Sequence, residues 1–332
     1  MLGKVEREKT FVENGSILLE KLIASCNSRC IPIRSFSIEE LLKATNNFDP
    51  HLIFLRGNWC HWYNGSLEGR LISVKKYRNI GCAEERDLPF TDLVICAKMC
   101  PHKNVLKLIG CCFETPSPVL VYESAENGTL SDRIYASQPQ ARPMPWKCRL
   151  KVAREIAHAI AYLHTAFSRP IIHRDIHPRN ICFDQRDIPK LSDFSTSIEI
   201  PEGEFEVATL VTGTPGFICP TYFNTSVVTE KSDVYSFGTL LLELVTGKKW
   251  RALRRDEADS GFENFEDYTR GNINVKTIFE SAIQTGEGEA GLEKQLLASL
   301  QLALRCRNEN PEFRPTMIDV SKELRRIERS IS

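Results

Sequence analysis

The sequence predicts an α+β fold, with a small strand-rich N-terminal part followed by a larger helical C-terminal part, and three observations carry that expectation. Between about residues 50 and 125, short strand-like runs ("RLISVKKY", "VLKLIG", "PVLVYE") gather around one helix-like segment. From residue 146 onward the apolar spacing is helical: Ala153, Ile156, Ile160 and Leu163 fall on one face, and further on Met317, Val320, Leu324 and Ile327 do the same. With 332 residues, 42% of them apolar and 26% charged, the chain is long enough for two packed parts with an ample core.

Taken in order, residues 1–35 read as an N-terminal extension rather than a domain. "SILLEKLIAS" predicts a short amphipathic helix and "NSRCIPIRS" a turn. In "FSIEELLKATNNF", Ser37 and Glu40 form an S-x-x-E capping box, and Phe36 is placed to staple onto Leu41. A helix from near Ile38 to Asn46 follows. The helix-like segment of the strand-rich part spans about residues 84–99. The division falls near 125–130, at "ESAENGTL", which gives a strand-rich part of about 36–125 and a helical part of about 126–328. "DVYSFGTLLLELVTG" is apolar nearly all round and is expected to be buried. The only dense basic run, "KKWRALRR" at 248–255, is followed directly by acidic residues and reads as a solvated loop.

Forty-three basic residues balance 43 acidic ones, which argues against a general nucleic-acid or polyanion binder and leaves any charge-based function local. No apolar run is long enough to span a membrane, and "MLGKVEREKT" lacks the apolar core of a signal peptide, so a soluble, cytoplasmic protein is expected. Glycine stands at position 3 rather than 2, so the myristoylation pattern is missing. The 12 cysteines are scattered through apolar context with no C-x-x-C pair, which predicts buried free thiols. Cys96 and Cys100, like Cys26 and Cys30, lie one helical turn apart without histidines at zinc-finger spacing, and both pairs read as structural.

Chemistry is concentrated in a series of motifs. "ISVK" puts Lys75 late in a strand, "HRDIHPRN" supplies Asp175 and Asn180, and "LSDFS" supplies Asp193. "GTPGF", "EKSDVYSFG" and "FRPTM" follow in that order. Over about residues 36–328 the chain resembles the plant receptor-like cytoplasmic kinases, whose pattern includes a Phe-Ser-x-x-Glu-Leu start and "TEKSDVYSFG". "HKNVLKLIGCC" and several degenerate sites resemble one branch, the HopZ-effector-triggered-immunity-deficient-related kinases. The resemblance implies a bilobal protein-kinase-like fold, and ATP and Mg2+ as cofactors if nucleotide is bound at all. Asp175 would accept a hydroxyl proton, Asn180 and Asp193 would hold magnesium, Lys75 would meet the phosphates, and Asp233 would brace the catalytic loop from a buried helix. The branch implies a pseudokinase adaptor for a coiled-coil nucleotide-binding leucine-rich-repeat (NLR) immune receptor. Other receptor-like cytoplasmic kinases and pathogen effectors are further partners, with plasma-membrane association only through them.

Four departures from the family pattern bear on activity. Of the glycines in G-x-G-x-x-G-x-V only Gly57 survives in "LRGNWCHW"; Leu55 and Cys60 stand where backbone should close on phosphates, and Trp62 stands where a valine covers adenine. An indole is large enough to fill that space itself. The partner of Lys75 in "TDLVICAKMC" is Asp92 in one alignment and Leu93 in another, and a solvated Asp92 is the alternative to an ion pair. His177 replaces a lysine of the catalytic loop; losing such a fixed charge costs about 10²- to 10³-fold in rate, although a nearby phosphate would raise the histidine's pKa, and a structural histidine is an equal reading. Ser195 replaces the glycine of D-F-G and Thr221 the glutamate of A-P-E, so Arg314 needs another acceptor or partial solvation. Three functions stay open: an immune adaptor with weak or no phosphotransfer, an active ATP-dependent serine/threonine kinase, and a chain that binds ATP without transferring phosphate.

Overall fold

A computed structural model of the chain describes residues 3–25, 33–78, 86–135, 144–252 and 289–330. Two units are seen: residues 1–128 with 182–197, and residues 129–181 with 198–332. The first crossing between units falls within "ESAENGTL". The return of 182–197 to the first unit has no compositional signature, because it is set by pairing with residues far away in sequence: Leu106 N donates to Leu191 O at 3.0 Å and Leu191 N to Asn104 O at 2.8 Å.

In the first unit, helix α1 (Lys4–Ser25) is far longer than "SILLEKLIAS" predicts. Its extra turns are fixed by tertiary contacts rather than amphipathic pattern: Asn14 Nδ2 donates to the carbonyls of Phe113 (2.8 Å) and Thr115 (3.0 Å), and Phe11 meets Phe113 edge-on. Arg7 pairs with Glu39, and Lys21 with Asp87. Most of the predicted turn after α1 lies outside the described residues. Next come β1 (Arg34–Ser35) and α2 (Ile38–Ala44), whose capping box forms in both directions as read, Ser37 accepting from Glu40 N and Glu40 from Ser37 N. Strands β2 (Ile53–Arg56), β3 (Cys60–Leu67) and β4 (Arg70–Tyr77) precede α3 (Leu88–Met99), and β5 (Leu108–Cys112) and β6 (Val119–Glu123) follow it. The start of the predicted helix at 84–85 lies outside the described residues.

These strands form one sheet in the order β1-β5-β6-β4-β3-β2, with β1 parallel to β5 and the other neighbours antiparallel. Strand side chains alternate between faces. Tyr63, Val74 and Val121, in register on β3, β4 and β6, bury one face against Phe36 and Leu41 around α2. One step along, Trp62, Lys75 and Leu120 are therefore in register on the opposite face.

In the second unit the main helices are α4 (Leu130–Ile134), α5 (Trp146–Thr165), α6 (Pro220–Thr225), α7 (Glu230–Thr246), α8 (Glu289–Cys306) and α9 (Met317–Arg329). The two apolar faces read from sequence are core: Ala153, Ile156, Ile160 and Leu163 on α5 are wholly buried, as are Val320 and Leu324 on α9. Helix α7 is buried from Ser232 to Thr246. It lies so close to α8 that a Cβ at Gly238 would come within 2.8 Å of side-chain carbons of both Cys306 and Arg307. Nine cysteines lie in described residues and none forms a disulfide; seven of the nine are buried. Cys26, Cys30 and residues 253–255 of the basic run lie outside the described residues.

Candidate functional site

The β3–β4 register sets Trp62 opposite Lys75 and so decides what surrounds the lysine. Lys75 Nζ lies 2.7 Å from Asp92 Oδ2 and 2.8 Å from Asp193 Oδ1, and the lysine side chain has no exposed surface. The solvated Asp92 weighed from sequence is thus overturned, and Leu93, also buried, is not the partner. A short carboxylate suffices because three further donors hold it: Tyr77 OH (2.9 Å), Tyr122 OH (3.0 Å) and the backbone N of Phe194 (2.9 Å). Burial alone would lower the lysine's pKa, but the charges of Asp193 and Asp92 outweigh it and hold the ammonium well above its usual range. Burial likewise raises Asp92, and Lys75 with its hydrogen bond brings it below the ordinary value. Ser195, in the D-F-G glycine position, donates its hydroxyl to Asp193 Oδ1.

Trp62 is 1% exposed. Its ring packs on Tyr122, centroids 5.0 Å apart, and Lys75 Nζ stands 5.2 Å from its centroid, within cation–π reach. Leu55 pairs with Trp62 from β2, and Cys60 opens β3 as a buried thiol whose pKa burial pushes up to about 12. Gly57 closes the short β2–β3 turn by donating its N–H to Cys60 O at 2.9 Å. A Cβ there would press on Cys60 at 3.1–3.2 Å, so the one surviving glycine is used within the hairpin itself. The Asp92 pair is one that a working kinase also needs; what departs from the family is the indole over Lys75 and its direct contact with Asp193.

The second unit carries the catalytic loop. Asp175 Oδ2 accepts from Asn180 Nδ2 at 3.0 Å and Oδ1 from Thr214 Oγ1 at 2.7 Å; His177 Nε2 lies 3.4 Å from Oδ2. Desolvation raises the Asp175 carboxyl, but the charge of His177 and the hydrogen bonds from His177 and Thr214 bring it well below the usual range. Asp175 is therefore ionised and oriented, as a proton acceptor needs to be, and the hydroxyl it holds is Thr214's. His177 accepts from Arg179 N through Nδ1 and packs 5.7 Å from the Phe217 ring, so it is built into the loop rather than extended as a lysine would be. Behind the loop, wholly buried Asp233 on α7 accepts from the backbone N of His173 (2.8 Å) and of Arg174 (2.9 Å), and His164 Nε2 lies 2.9 Å away.

Arg314 is 2% exposed, which removes the solvated alternative. It donates to the carbonyls of Asn308, Glu309 and Lys231 and lies 2.9 Å from Cys219 Sγ. Arg174 Nη1 is 3.3 Å from both Thr209 Oγ1 and Tyr222 OH.

Reading motifs alone missed Tyr77, Tyr122, His164 and the Thr214–Asp175 bond. Tyr77 was within reach, since it stands two residues after Lys75 and strand alternation puts it on the same face. The others come from distant segments and carry no local signal.

The family described as protein tyrosine and serine/threonine kinase matches residues 55–324. Three proteins of Arabidopsis thaliana are each 40% identical to the chain: the serine/threonine-protein kinase ZRK1, over 99% of this chain and 95% of its own length; the non-functional pseudokinase ZRK2, over 98% and 91%; and the non-functional pseudokinase ZED1, over 96% and 96%. The same identity to a kinase and to two pseudokinases leaves activity to be argued from the site. Among the described residues no helix is long and apolar enough to cross a membrane. With the six-stranded sheet in one unit, most of the helices in the other and Lys75, Asp175, Asn180 and Asp193 in family order, the chain belongs to the protein tyrosine and serine/threonine kinase family and resembles within it the group of ZRK1, ZRK2 and ZED1.

Proposed function

We propose that this chain is a kinase-fold adaptor of plant innate immunity, which binds a coiled-coil NLR receptor and responds to pathogen effector action, with weak or no phosphotransfer. The observation that carries the reading is the Lys75 cluster. The residue that should grip phosphates is wholly buried beneath Trp62 and held by Asp193 as well as Asp92, so ATP would have to displace an indole and the buried Asp193 contact. The two pseudokinases among the relatives support it. Mg-ATP thermal stabilisation and phosphate incorporation into a generic protein substrate, measured beside co-purification with an NLR receptor, test it. The expected result is no stabilisation, little or no incorporation and a retained receptor; Asp175-dependent incorporation as fast as that of an ordinary kinase would overturn the reading. The second reading, an active serine/threonine kinase using ATP and Mg2+, is favoured by one arrangement only, the ionised Asp175 with Asn180 beside it.

A further inference from the structure

The chain is electrically neutral as a whole, yet one concave surface of the first unit is not. A groove of about 860 Å³ is lined by six Arg or Lys residues against three carboxylates, a surplus of three positive charges. The carboxylates are already used. Glu123 and Asp184 hold the buried ammonium of Lys190, at 2.9 and 3.4 Å, and Glu68 pairs with Arg34 at 3.4 Å. The four remaining cations, Arg70, Lys103, Lys107 and Arg186, are exposed, and their side chains make no ion pair or hydrogen bond among the described residues. Between them the floor is apolar. Phe36 and Ile72 close it from below, and Leu71 and Ile109 present 47% and 36% of their surfaces to solvent.

Unpaired cations around exposed aliphatic side chains repel one another and leave apolar area in water, so an anionic occupant with apolar side chains would relieve both. A concave site of this size suits a segment of chain rather than a flat bilayer. We propose that this groove docks an extended acidic polypeptide segment of a partner protein, its Asp or Glu residues meeting Arg70, Lys103, Lys107 and Arg186 and its aliphatic residues seated on Leu71 and Ile109. The inference rests on the adaptor reading, for which it supplies a binding face. That face uses none of the Lys75 or Asp175 machinery.

The test pans a displayed library of random dodecapeptides on the full chain and on a variant carrying Arg70→Glu, Lys103→Glu, Lys107→Glu and Arg186→Glu. Peptides with alternating acidic and aliphatic residues should be enriched on the wild type. Resynthesised, they should bind the variant more than about tenfold more weakly and lose affinity as salt rises. Leu71→Asp with Ile109→Asp should weaken binding too, whereas Lys322→Glu with Arg325→Glu on α9 should leave it unchanged. If the charge-reversed chain does not fold, glutamine at the same four positions replaces it. Enrichment without acidic bias, or equal binding to the reversed chain, overturns the proposal. So does capture by phosphatidylserine vesicles that needs the same four cations while no acidic peptide binds, since the face would then belong to a membrane. Failure of the adaptor reading shows separately, as wild-type chain that retains no NLR receptor while its peptide binding stands.

Discussion

Lys75 in the first unit and Asp175 in the second each belong to the family's motif set and each have a perturbed pKa, but they are held by different kinds of partner. Lys75 is enclosed: two carboxylates, the Tyr77 ring and an indole surround it, and nothing of it is exposed. Asp175 keeps 19% of its side chain exposed and is held by neutral or titratable donors, Asn180, Thr214 and His177. Where the family's glycines and valine are lost, their space has been filled by Cys60 and Trp62, which bury the charge they should have presented. Where the family's lysine is lost, His177 has joined the loop without filling the space around Asp175. A dry ion cluster becomes a structural device, because any change to it strands a buried charge; a partly exposed carboxylate held by neutral or titratable donors is less costly to change.

The sharpest way to break this comparison is Lys75→Met, which leaves Asp92 buried without its countercharge. It should cost about 3–5 kcal/mol, read as a fall in denaturation midpoint. In an ordinary kinase the same change would chiefly remove activity, so a loss under about 1 kcal/mol would refute the structural role assigned to the lysine.

Trp62→Val comes next. Emptying part of a fully buried indole site should cost about 2–4 kcal/mol, and the variant should gain thermal stabilisation from Mg-ATP that the wild type lacks. A variant destabilised but still unresponsive would show that the carboxylates alone exclude the nucleotide.

For the second unit, the sharper probe is pH. Burial raises the Asp233 carboxyl, but its hydrogen bond and charge interaction with His164 and those with His173 hold it below the ordinary value. A carboxylate depressed in the folded state stabilises above its unfolded pKa near 3.9, and that stability is lost as pH falls through the lower folded value. Asp233→Asn should lower stability by about 2 kcal/mol at pH 7 and flatten the decline in midpoint below about pH 4. An unchanged acid decline would move the cause elsewhere, with Asp175 the next candidate.

The smallest expected effect is at Thr209. Arg174 Nη1 already lies 3.3 Å from its hydroxyl, so a phosphate there would gain a charge-assisted partner worth about 1 kcal/mol at this partly exposed position. Proteolysis of the 200–222 region should slow on phosphorylation of Thr209 by an added kinase and should not slow in Arg174→Ala.

Much of this was legible beforehand. The capping box at Ser37 and Glu40 needs only four residues in sequence and appears where it was read. The faces of α5 and α9 follow from a 3.6-residue period. The choice of Asp175, Asn180, Asp193 and Lys75 as candidates came from motif order. The state of those residues was not legible. Whether Asp92 or Leu93 met Lys75 turned on a one-residue alignment choice, and the answer came from a carboxylate held by Tyr77, Tyr122 and the Phe194 amide, from three separate segments. The length of α1 escaped the pattern because Asn14 is fixed by carbonyls 99 and 101 residues away.

The sequence by itself determined the elements and their periodicity, the family and the inventory of lost residues, since these depend on local spacing and on residue identity. Only the tertiary structure decided that Lys75 is closed in, that Arg314 finds carbonyls in place of its glutamate and that four exposed cations gather around one groove. The physical reason is that a charge's behaviour depends on the acceptors and the dielectric around it, and folding assembles both from residues with no signature in common.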